Sequence, residues 1–120
     1  MNRQSPRPMA RANRDMYAEY KRLLWLRSQG RCERPQCGQT AHDPHHARKP
    51  RRSYHYSIVA LCRSCHEWVD APITSRRGRL RIVLEEYSEG DPVVVFTFSI
   101  HGGPQDGWEK YVVLPALVRG

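Results

Sequence analysis

Cys32-Glu-Arg-Pro-Gln-Cys37, His45-His46 and Leu61-Cys62-Arg-Ser-Cys65-His66 punctuate the stretch from Arg31 to Asp70, and the rest of the chain is read around them. All four cysteines lie here, with five of the six histidines: His42, His45, His46, His55 and His66. A Cys-x4-Cys pair and a Cys-x2-Cys pair separated by a loop match the ligand spacing of a tetrahedral zinc. Four thiolates, from Cys32, Cys37, Cys62 and Cys65, would leave such an ion no open position, so its task would be structural. The histidines are surplus to it. They imply a second, catalytic metal site beside the first.

Around this stretch the local signals alternate between turn, strand and helix. Pro35 and Gly38 make the first cysteine pair a tight knuckle. Residues 39–47 predict a short extended segment carrying His45 and His46. A basic, turn-like run with Arg48, Lys49, Arg51 and Arg52 follows it. Ser57 to Leu61 is apolar and partly β-branched, which predicts the returning strand of a hairpin. Cys62 to Asp70 predicts a short helix stopped by Pro72. Adjacent residues of an extended segment point to opposite sides, so His45 can face a metal while His46 faces a water. A histidine of ordinary pKa can take a proton from that water at physiological pH. Asp70 lies four residues after His66, on the same helical face, and is a candidate further ligand.

These residues resemble the HNH, or ββα-metal, endonuclease family, in the subgroup with a four-cysteine zinc. The resemblance covers residues 31–70, a third of the chain. It rests on His45-His46 combined with Leu61-Cys62-x2-Cys65-His66, since a plain zinc ribbon needs no such histidines. The resemblance implies that His45 and His66 bind the catalytic metal and that His46 is the general base. It also implies Mg2+, Mn2+ or another divalent ion in that role, Zn2+ in the structural one, and DNA as substrate. In the family an asparagine shortly before the Leu-Cys steadies the loop behind the base. This chain has asparagine only at positions 2 and 13, and Ser57 stands at the aligned place. His55 is a candidate substitute for it, or a spare ligand.

The chain has 120 residues, enough for one domain, and its mean hydropathy is strongly negative. A thin core of this kind gains from a metal that ties distant segments together. No apolar run is long enough to cross a membrane and no signal-peptide pattern opens the sequence. The expected setting is therefore a reducing cytoplasm, where cysteine pairs hold metal more often than they form disulfides; the resemblance implies that of a bacterial or phage-infected cell. Net charge is +8, and eighteen of the twenty Lys and Arg precede Ile82, against six of the twelve Asp and Glu. Such segregation favours a polyanion, and Arg48, Lys49, Arg51, Arg52, Arg76 and Arg77 are the candidate phosphate contacts.

The flanks complete an α+β reading: an N-terminal helix, a zinc-stabilised ββα-metal module and C-terminal antiparallel strands in one domain. Residues 1–12 predict a basic flexible arm. Residues 13–30 predict a helix, with Asn13 as N-cap, a stripe of Met16, Tyr20, Leu23 and Leu24 flanked by Tyr17, and Gly30 as the stop. The module spans 31–75. Residues 76–120 predict a β-rich extension of three strands, around Leu80–Glu85, Val93–Ile100 and Trp108–Leu114, that caps the module or pairs with another copy. Monomer and homodimer are both open. The expected function is metal-dependent hydrolysis of DNA. The alternative is a zinc-stabilised nucleic-acid-binding module without catalysis.

Overall fold

The computed structural model describes residues 8–71, 78–86, 89–99 and 109–117. Its elements are the helix α1 (Pro8–Ser28), the strands β1 (Asp43–His46) and β2 (Ile58–Leu61), the helix α2 (Arg63–Val69), and the strands β3 (Arg79–Glu85), β4 (Val93–Ser99) and β5 (Glu109–Pro115). The fold is α+β, with antiparallel strands in two sheets, β1-β2 and β3-β4-β5.

The two-stranded hairpin is the centre of the structure. Its register sets His45 opposite Val59 and His46 opposite Ile58. All four residues of β2 are buried, because the strand has packing on both faces. Ile58 and Ala60 form one cluster with Leu24 and Ala41, against which Tyr17, Tyr20, Leu23 and Trp25 pack. Val59 and Leu61 form the other, with Cys62, Cys65 and Trp68. A one-residue slip would exchange these faces, so burial on both sides fixes the register strongly.

The helix α1 corrects the expectation at its start. Residues 8–12, expected in a flexible arm, are helical, so Asn13 sits inside the helix and is no N-cap; residues 1–7 lie outside the described ones. Most of the expected stripe holds: Leu24 is fully buried, and Tyr17, Tyr20 and Leu23 pack against its cluster together with Trp25, but Met16 is 36 % exposed. The helix therefore covers the Ile58/Ala60 face of the hairpin, on the side away from the cysteines. It ends after Ser28 through two left-handed residues, Gln29 (φ 55°) and Gly30 (φ 75°). The second of them is the expected stop.

The knuckle between α1 and β1 is closed by Cys32 N–H donating to Gln39 O (2.7 Å) and Cys37 N–H to Arg34 O (3.1 Å). Gly38, at φ 67°, turns the chain out of it, in a conformation that costs glycine nothing. Glu33 N–H donates to Ala60 O of β2 (2.7 Å), so the knuckle is sewn to the strand that leads to the second cysteine pair.

The C-terminal sheet shares the core of the cysteine side. Leu80, Ile82 and Leu84 of β3 are buried and alternate with exposed Arg81 and Val83, the two-residue period of a strand with one covered face. They join Val94, Phe96 and Ala116 against Val59, Leu61 and Trp68, so the extension caps this side of the hairpin. Trp68 donates its indole N–H to Gly78 O (3.1 Å), fixing α2 to the start of β3. Pro72, Ile100 and Trp108, and the candidate phosphate contacts Arg76 and Arg77, lie outside the described residues.

Candidate functional site

The four cysteines converge as their spacing requires. Cys32 and Cys37 come from the knuckle, Cys62 is the N-cap of α2, and Cys65 lies in its first turn, where its N–H donates to Cys62 Sγ (3.4 Å). The four sulfurs lie within 4.8 Å of one another, and all four thiols are free of disulfides. A tetrahedral zinc with Zn–S bonds of about 2.3 Å needs sulfurs about 3.8 Å apart. The separations Cys37–Cys62 and Cys37–Cys65 are both 3.8 Å, so the donor set fits that ion.

Crowding splits the proton affinities of these thiols. The hydrogen bond to Cys65, then burial, pushes Cys32 up. Cys65 is drawn down to about 4 by that same bond, then by the Arg34 guanidinium, whose Nε donates to its sulfur at 3.0 Å. Arg34 also lies 5.4 Å from the Trp68 ring centre. A guanidinium against a thiolate orients it and offsets its charge, the outer support that metal-binding thiolates use.

The histidines gather at the other end of the hairpin. A cleft of about 270 Å³ is lined by His45, His46, His66, Asp43, Asp70, Tyr17, Lys49 and Arg51. The alternation of β1 divides its histidines as expected. His45 shares the face of Val59 and stands edge-on to His66 of α2, with ring centres 5.4 Å apart. His46 shares the face of Ile58 and turns toward α1, its ring 5.3 Å from that of Tyr17. Among the described residues, the cysteines are the one group whose ligand atoms already crowd together; His45, His66 and Asp70 surround a wider space.

Asp43 stands outside the set of sequence-predicted site residues. Its Oδ2 lies 3.2 Å from His66 Nδ1. A carboxylate only accepts, so the proton of His66 sits on that nitrogen and Nε2 keeps the free lone pair. This carboxylate–histidine pairing is the usual support of a metal-binding imidazole. A signal for it exists in the sequence, because Asp43 lies two residues before His45 and so shares its strand face.

His45 and His46 depart from ordinary basicity. Burial, then the neighbouring His66, lowers His45 to about 4, against which Asp70 acts upward. Burial, then His55 and Arg51, lowers His46 to about 4. His55 is lowered as well, by burial. The expectation of a histidine titrating near neutrality therefore does not hold at these positions, because the fold removes most of the water around the rings.

The remaining candidates divide clearly. Ser57 is buried and ties the loop between β1 and β2, donating to Tyr54 O (2.7 Å) and accepting from Arg48 N–H (3.3 Å). His55 is 3 % exposed and bonds to His46. Lys49 and Arg51 line the cleft, and Arg52 is exposed nearby. Arg48 is engaged elsewhere, with Glu86 at 3.6 Å and over the Tyr54 ring at 4.7 Å. His42 is exposed; His101 is outside the described residues.

Comparison with protein-family models, with curated proteins and with solved structures found no match to this chain. Among the described residues, no helix is long and apolar enough to cross a membrane.

Proposed function

We propose that this chain is a metal-dependent endonuclease of the HNH, or ββα-metal, type that hydrolyses DNA phosphodiester bonds. In this reading β1, β2 and α2 are the ββα-metal module, and Cys32, Cys37, Cys62 and Cys65 hold a structural zinc. The observation that carries it is the convergence of His45, His46 and His66 with Lys49 and Arg51 on one cleft.

His45 and His66, with Asp70 at the rim, would hold a divalent cation such as Mg2+ or Mn2+. Such an ion would polarise the phosphate and stabilise the departing oxygen. His46 takes a proton from the water that attacks phosphorus. The P–O3′ bond breaks, the departing O3′ takes a proton from solvent water, and the products are a 5′-phosphate and a 3′-hydroxyl. Lys49 and Arg51 hold the flanking phosphates and offset the charge that builds on the equatorial oxygens. The lowered pKa of His46 keeps it unprotonated at any physiological pH, at some cost in basicity. Asp43 holds the His66 ring in place.

The test is nicking of supercoiled plasmid by zinc-loaded protein with Mg2+, Mn2+, Ni2+ or Co2+ added. Metal-dependent relaxed and linear products support the proposal. Salt-dependent DNA binding without cleavage under every metal would leave the zinc-stabilised binding module as the function.

A further inference from the structure

Asn13, Tyr17 and Lys21 recur at four-residue intervals and so share one side of α1. That side forms the back of the histidine cluster. Asn13 Oδ1 lies 2.8 Å from His55 Nε2, and His55 Nδ1 lies 2.9 Å from His46 Nε2. The Tyr17 ring stacks on His55 at 4.7 Å and 15°, holding the imidazole plane. Three side chains from α1, the loop and β1 are thus joined end to end.

The order of donors along this row follows from chemistry. An amide oxygen only accepts, so neutral His55 carries its proton on Nε2 and offers a lone pair at Nδ1. That lone pair draws the proton of His46 to Nε2. Nδ1 of His46 is then the free base. Among the described residues no buried side-chain nitrogen or oxygen lacks a partner, and none of them bonds Nδ1 of His46, so this atom meets solvent in the cleft that His46 lines. Ser57 cannot supply this support, since its hydroxyl is engaged by Tyr54 O and Arg48 N–H.

We propose that Asn13 and His55 are a positioning relay, reaching His46 from outside the hairpin, that fixes it as the Nε2–H tautomer with Nδ1 as the proton-accepting atom. The relay's purpose rests on the nuclease reading; its existence does not. Neither relay residue touches the reacting atoms. Their effect is exerted through His46, whose ring would otherwise share its proton between two nitrogens and rotate.

The experiment uses the full zinc-loaded chain, labelled with 15N-histidine, at pH 7.5 and without added catalytic metal. The ring 15N spectrum should show His46 protonated on Nε2. Asn13→Leu should leave zinc content unchanged and turn His46 into a mixture of tautomers, whereas Asn13→Asp, which keeps an accepting oxygen, should retain the parental tautomer. In the plasmid assay Asn13→Leu should lower kcat by less than the roughly 10²–10⁴-fold expected for loss of the base itself, with KM for DNA unchanged and activity restored in Asn13→Asp. His55→Phe keeps a ring against Tyr17 and should reproduce the Asn13→Leu tautomer mixture. A parental His46 protonated on Nδ1 would overturn the relay, as would a parental tautomer persisting in both Asn13→Leu and His55→Phe. The expected tautomer shifts in a parent that cuts no DNA would uphold the relay and remove the nuclease reading instead.

Discussion

Arg27 and Glu33 form a two-pronged ion pair, with Nε to Oε2 at 2.7 Å and Nη2 to Oε1 at 2.8 Å, and both side chains are largely buried. The pair ties together segments far apart in sequence. Arg27 also donates to Ile58 O (3.1 Å) and Pro115 O (2.7 Å), and Glu33 Oε1 accepts from Ala60 N–H (2.8 Å). The end of α1, the knuckle, β2 and the end of β5 therefore meet at one guanidinium. Arg27→Met strands the Glu33 carboxylate and should cost about 3 kcal/mol or more, read as a lower urea midpoint. Arg27→Lys keeps the charge but loses the planar fork, and should recover only part of that loss.

Metal removal should take the fold with it. The cysteine cluster lies inside the core that also holds Val59, Leu61, Trp68 and Phe96. Purified protein should contain about one tightly bound zinc per chain, measured by mass spectrometry of the metal. Cys62→Ser removes a proposed zinc ligand while leaving a side chain that can still cap α2, and should lose zinc together with the far-ultraviolet circular dichroism of the parent. A Cys62→Ser protein that melts like the parent would end the structural-zinc argument.

His46→Ala should lower plasmid cleavage by roughly 10²–10⁴-fold, the usual range for a lost general base, while DNA binding and zinc content persist. His45→Ala and His66→Ala should instead raise the concentration of divalent metal needed for cleavage, so that excess metal partly restores them. Asp43→Asn should resemble a mild His66→Ala, because it weakens the bond that orients that ring. Equal loss in all four variants, without metal rescue, would contradict the division between base and ligands.

Acid should destabilise the fold in a defined window. His45 and His46 have folded pKa values of about 4, below their ordinary 6.5, so the unfolded chain binds more protons than the folded one between those values. Stability then rises with pH across that window: it is fully present above about pH 6.5 and is lost progressively as pH falls toward about 4. Urea midpoints measured across that range should trace this loss. His46→Phe, which cannot be protonated, should show a shallower decline.

DNA affinity should fall steeply with salt. Lys49→Ala and Arg51→Ala, at the cleft wall, should each reduce the slope of log affinity against log salt by about 1. Arg48→Ala should change that slope much less, because Arg48 is held by Glu86 and Tyr54. Binding that ignores salt would point to a partner other than nucleic acid.

Whatever depends on short spacing in this chain is legible before folding. The cysteine pairs, the stop at Gly30 and the alternation of Leu80, Ile82 and Leu84 are local patterns, and local backbone geometry converts them directly into structure. The approach of His45-His46 to His66 is legible for the same reason, since a hairpin and a following helix bring them to one end. Asn13 has the local preference of a cap, yet α1 begins at Pro8 and the Asn13 side chain serves a tertiary contact instead. Its partner His55 lies 42 residues away, and no periodicity links them. Arg27 with Glu33, and the lowered basicity of His45 and His46, likewise exist only once burial has removed water from those groups. These features belong to the tertiary structure because desolvation and long-range hydrogen bonding depend on which surfaces meet, and a linear pattern records only which surfaces are available.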